Sequence, residues 1–127
     1  MIYVKESARS IDEVCKKIEA ATAANGFGVL GVHNLKEKME AKGVDFGPEC
    51  RILEVCNPKQ AKAVLEANMA IANALPCRIC VYEEGGTVKV STMMPTVLLR
   101  LFGTPGLEPV AKEVEETIIR IIDSACA

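Results

Sequence analysis

A chain of 127 residues with a formal charge of −2 is long enough to bury a core without disulfides or metal. Half of its residues are hydrophobic and only 4% are aromatic, so that core must be built from Val, Ile, Leu, Ala, Met and Cys. Lys and Arg do not cluster and no aromatic residues interleave with them, which argues against a nucleic-acid partner. No run approaches the roughly 18 apolar residues of a spanning helix, and the opening Met-Ile-Tyr-Val-Lys-Glu is not a secretory signal. The expectation is a single cytoplasmic domain over residues 1–127, with no membrane partner.

Met1 to Lys5 reads as a first strand with Ile2 and Val4 on one face. Ser10 followed three residues later by Glu13 is a capping box that starts a helix. Ile11, Val14, Cys15, Ile18, Ala21 and Thr22 or Ala23 form its apolar stripe, and Asn25-Gly26 closes it. Phe27 to Val32 reads as a buried second strand, with glycines that could mark a bulge. His33-Asn34-Leu35 leads into a short charged helix over Lys36 to Lys42. Glu49 to Cys56 alternates as a third strand, with Cys50, Ile52, Glu54 and Cys56 on one face and Arg51, Leu53 and Val55 on the other.

Asn57-Pro58 is a strong helix start, because Asn caps and Pro at the first helical position loses no needed hydrogen bond. That helix is expected to run to about Asn73, with Ala61, Val64, Leu65, Asn68, Met69 and Ala72 inward. Cys77 to Glu83, a turn at Glu84-Gly85-Gly86 and Thr87 to Thr92 make a hairpin. Met93-Met94-Pro95 precedes a short apolar helix over Thr96 to Phe102. The last helix runs from about Leu107 to Ala125. Strand–helix–strand units with one hairpin indicate an α+β domain of two layers, a mostly antiparallel sheet of about five strands with helices packed on one face.

The chemistry-bearing residues are few. Cys77-Arg78-Ile79-Cys80 has the spacing of a metal or redox motif, but inside a strand the two sulfurs point to opposite faces. Cys50 and Cys56 share a face yet lie about 20 Å apart. Cys56 just precedes a helix N-terminus, where backbone amides would lower its thiol pKa, so it is the foremost candidate for a reactive group. His33, the only histidine, is a candidate partner for a thiolate. Glu54 needs a partner if buried, and Arg78 is the expected one. No phosphate loop, dinucleotide, zinc-protease or nucleophile-elbow motif occurs.

Glu54-Val-Cys-Asn-Pro58 with Ala61 and Leu65, Leu75-Pro-Cys-Arg-Ile79 and Val81-Tyr-Glu83 together resemble the domain of unknown function 302 family, a group of small, mostly prokaryotic proteins. Phe27, Val32-His33-Asn34-Leu35 and Lys42-Gly43 fit the same pattern, so the resemblance spans Tyr3 to Ile122. It implies a compact α+β fold that often pairs as a dimer, and it carries over no catalytic residue and no cofactor. Cys15, Cys50, Cys80 and Cys126 lie outside the motif. The function expected is a homodimeric ligand-binding or accessory protein, with a small-molecule pocket between sheet and helices near His33, Cys56, Asn57, Cys77 and Glu54. The dimer interface would use strand edges or Met93 to Phe102. The alternative is a thiol-dependent redox or metal/haem-handling protein using Cys56 with His33 or Cys77. No metal site and no enzymatic reaction are assigned.

Overall fold

The computed structural model describes residues 1–127. The strands are β1 (Ile2–Ser7), β2 (Gly28–Asn34), β3 (Cys50–Cys56), β4 (Cys77–Glu84) and β5 (Thr87–Met93), and the helices are α1 (Ile11–Ala24), α2 (Leu35–Ala41), α3 (Pro58–Ala67), α4 (Pro95–Arg100) and α5 (Glu108–Cys126). The strands form one antiparallel sheet in the order β1-β5-β4-β3-β2. The α+β layering and the order of elements agree with the sequence pattern.

The core lies between one sheet face and the long helices α1 and α5. Val14 and Ile18 of α1 and Ile118, Ile121 and Ile122 of α5 are fully buried against Leu53, Val55, Ile79, Val81 and Val90. Burying each such side chain stabilises the fold by about 1.5–3 kcal/mol relative to exposure. The stripe expected for α1 is buried, with Thr22 and not Ala23 at its last position. Ser10 caps this helix by accepting from the Glu13 amide at 3.2 Å, while its own hydroxyl donates to Glu13 Oε1.

Two expectations are corrected. β2 is an edge strand and not a buried one. The pairing with β3 slips between Val29 and Gly31, so Leu30 bulges outward at 65% exposure; such a bulge also discourages a foreign strand from adding to the edge. Ile2 and Val4 share a face as expected, and it is the solvent face. Tyr3 takes the inward position because its ring packs on the core and its hydroxyl reaches Asp123 of α5 at 2.5 Å.

The helix starting at Pro58 stops at Ala67. Asn68 adopts an extended conformation and caps a separate 3-10 helix over Met69–Ala74. It accepts from the Ala70 amide and donates to Thr104 Oγ1, both at 3.0 Å. The change of helical period exposes Met69 and buries Ile71 instead. Ile71, Val64 and Leu107 form a second small apolar cluster with Leu75, Leu99 and Phe102, set beyond one end of the sheet.

Candidate functional site

Antiparallel pairing brings the end of β3, the start of β4, the end of β5 and the start of β1 to the same edge of the sheet. α3, the 3-10 helix and α4 stand across from that edge. Between the main core and the second cluster is a cavity of about 230 Å³. Val55, Phe27 and Val114 line it from the core side, and Val64, Leu75 and Leu99 from the other. Its wall is mostly apolar, the ordinary character of a small-molecule site.

The polar groups on this wall fall into two kinds. Asn57 and Thr92 are committed: Asn57 Oδ1 accepts from the Lys59 and Gln60 amides at 3.0 and 3.1 Å, and Thr92 Oγ1 donates to the Arg78 carbonyl at 2.8 Å. Gln60, Arg78 and Ser91 keep capacity to spare. Gln60 Nε2 reaches Glu113 at 3.5 Å, but Gln60 Oε1 is buried without a partner. The Arg78 guanidinium forms no ion pair, and the Ser91 hydroxyl bonds to no protein group although the residue is only 8% exposed. A buried acceptor without a donor costs on the order of 1–3 kcal/mol, a cost that a water or a ligand donor reaching Gln60 Oε1 would remove.

The candidates taken from the sequence divide between two places. Cys56, Asn57 and Cys77 lie on the cavity wall, while His33 and Glu54 lie outside it on the uncovered sheet face. Glu54 stands opposite Arg78 in the β3–β4 register, yet its partner is His33, not Arg78. His33 Nε2 meets Glu54 Oε1 at 2.7 Å and His33 Nδ1 meets Lys38 Nζ at 2.7 Å. An ammonium can only donate, so Nδ1 accepts and Nε2–H donates to the carboxylate. Both ring nitrogens are thereby occupied within the chain. Gly31 makes room for this pair, since a Cβ there would stand 3.1 Å from Glu54 Oε1.

The thiols are equally informative. Burial pushes Cys15, Cys50, Cys56, Cys80 and Cys126 above the ordinary thiol range. Cys77 is driven to about 11 by burial, with the nearby Cys56 thiol adding to the effect. A lowered Cys56 pKa at the α3 N-terminus was the basis for a nucleophilic role. The opposite shift arises because burial withdraws Cys56 from water, while the first free amides of α3 are taken by Asn57. Cys77 faces the core and Cys80 the open sheet face, so the two thiols of that spacing do not converge. No three His, Cys, Asp or Glu side chains are grouped to hold a metal ion.

Gln60 and Ser91 were not singled out by sequence reasoning, and Arg78 was singled out only as a partner for Glu54. Gln60 occupies an inward position one turn before Val64, where a polar residue on an apolar stripe is a usable signal. Arg78 is the only charge in the run Leu75 to Tyr82. Ser91 carries no comparable signal, because its place beside Cys80 follows from strand pairing.

No helix is long and apolar enough to cross a membrane. No curated protein matches the chain. The solved structure of an uncharacterised conserved DUF302 protein from Bacillus stearothermophilus is similar, with 34% identity, a TM-score of 0.92, and coverage of 99% of this chain and 98% of that one. The profile of the family described as domain of unknown function DUF302 matches residues 3–125, and with that match the chain belongs to this family.

Proposed function

We infer that this protein is a small-molecule-binding domain whose ligand occupies the cavity at the sheet edge. The observation that carries the reading is the cavity itself, about 230 Å³ of mostly apolar-walled space between two separately packed clusters. An apolar ligand seated there would make dispersion contacts along the lining and would release water from its apolar wall. The test is propylbenzene binding, followed by calorimetry. The protein should bind it, and Ala61→Phe, which fills the cavity from α3, should abolish binding while leaving the circular dichroism spectrum unchanged. Equal binding by the filled variant would remove the cavity from consideration.

The uncovered sheet face supports a second element, association of two copies. Val4 (48% exposed) lies there beside half-buried Ile52 and Cys50, and Ile2 (59%), Met93 (44%) and half-buried Cys80 extend this face to the cavity, which they also line. Five strands at about 4.8 Å spacing and about 20 Å long give roughly 500 Å² in plan. Side-chain relief brings this toward the roughly 800 Å² per partner of a stable interface. Light scattering should give twice the chain mass for the wild type and the monomer mass for a Val4→Lys, Ile52→Lys variant. A wild-type monomer at high concentration would exclude the pairing. The cysteine-rich composition fits a reducing compartment, and the cytoplasm is the proposed setting.

A further inference from the structure

We propose that the ligand is a small apolar acid bearing a hydroxyl or N–H on its body, its acid group on Arg78 and its donor on Gln60. The inference rests on the cavity reading above and adds the chemistry of the occupant. Three polar groups of the wall lack protein partners, and they differ in sign. The Arg78 guanidinium, exposed at the cavity's margin, is donor-only and carries a charge no carboxylate of this chain neutralises. Its register neighbour Glu54 is turned to His33. The Ser91 hydroxyl lies on the same sheet face, one strand over, and can donate a second hydrogen bond to an anion. Gln60 Oε1, by contrast, is an acceptor and is buried. A purely hydrocarbon ligand would leave buried Gln60 Oε1 unpaired, and a doubly charged one would bury a charge against apolar side chains. An amphipathic acid satisfies all three groups. The space, about 230 Å³, holds about eight water-sized groups, which suits a ring with a short acid arm.

The experiment compares three probes by calorimetry on the full chain: 3-phenylpropan-1-ol, 3-phenylpropionate and 3-(4-hydroxyphenyl)propionate. The wild type should bind the plain acid about tenfold tighter than the alcohol, the scale of one charge-assisted contact at a partly exposed site, and the hydroxylated acid tighter still. Arg78→Gln should erase the preference for acid over alcohol. Gln60→Leu should erase the preference for the hydroxylated acid while keeping the other. Equal binding of acid and alcohol by the wild type would overturn the anion assignment, and a wild type indifferent to the hydroxyl would overturn the Gln60 assignment; in both cases the cavity reading stands. If the alcohol does not bind either, the cavity reading falls together with this one.

Discussion

The thiols provide the sharpest test of what the site does not do. Cys77 rises from the ordinary 9.0 to about 11 because its place on the cavity wall withdraws the thiol from water, with nearby Cys56 adding to the effect. At pH 8 an ordinary thiol is about one-tenth ionised and one at about 11 is about one-thousandth ionised. Since only the thiolate attacks, ionisation alone should slow Cys77 alkylation about a hundredfold relative to a free thiol. Cys56 shifts in the same direction through burial. Pulses of iodoacetamide at pH 8, quenched and mapped peptide by peptide, should find Cys77 the slowest of the six and Cys56 slower than a free cysteine. Saturating propylbenzene should slow Cys56 and Cys77 further and leave Cys50, which lies away from the cavity, unaffected. Rapid single modification of Cys56 or Cys77 near neutral pH would refute the argument and restore the thiol-dependent alternative.

Other consequences concern the frame around the site. The Tyr3 hydroxyl bonded to Asp123 raises the tyrosine to about 12 and holds the carboxyl of Asp123 below its usual range. A raised group contributes fully below its unfolded value and loses that contribution as pH climbs toward the folded one, so this stability should disappear between about pH 10 and 12. The depressed Asp123 works the other way: its contribution is present above the unfolded carboxylate value and is lost as pH falls through the lower folded one. The two-unit shift would correspond to about 2.7 kcal/mol, but Asp123 is 40% exposed and solvent screening reduces the contact to about 1 kcal/mol. Tyr3→Phe should therefore lower Tm by about 4 °C for 127 residues, and in a Tyr82→Phe background tyrosinate absorbance should rise only near 12; a midpoint at the free-tyrosine value would contradict the contact. Nitrogen-15 NMR should find the proton of neutral His33 on Nε2. Gly31→Ala, whose Cβ would crowd Glu54 Oε1 at 3.1 Å, should disturb that tautomer while changing stability by less than about 1 kcal/mol. An unchanged ring spectrum would show that the pair has room to spare.

How much of this was readable from the chain depends on how local each feature is. The α1 stripe from Ile11 to Thr22, the Asn57-Pro58 start and the Gly85-Gly86 turn are set by neighbours within a few residues, and all are found where the pattern puts them. The edge position of β2 and the outward turn of Ile2 and Val4 depend on which strand lies next to which. An apolar run such as Phe27 to Val32 looks the same at an edge as in the middle of a sheet. The break at Asn68 was written in a residue that caps readily, yet Met69 to Ala72 continue a plausible helical stripe and mask it. The cavity is wholly non-local: it exists because α3, α4 and four strand ends meet at one edge. Cys56, Asn57 and Cys77 were legible as candidates through their closeness in sequence to the strand ends, whereas Arg78's freedom depends on Glu54 having chosen His33.

The most direct measurement is a methyl-resolved NMR titration of the full chain with propylbenzene. Occupancy of the cavity predicts intermolecular NOEs from the ligand to Val64, Leu75 and Leu99, with none to Val4 on the uncovered face. NOEs confined to Val4 and Ile52, or no saturable contact with the three cavity methyls, would contradict the assignment of this space as a binding site.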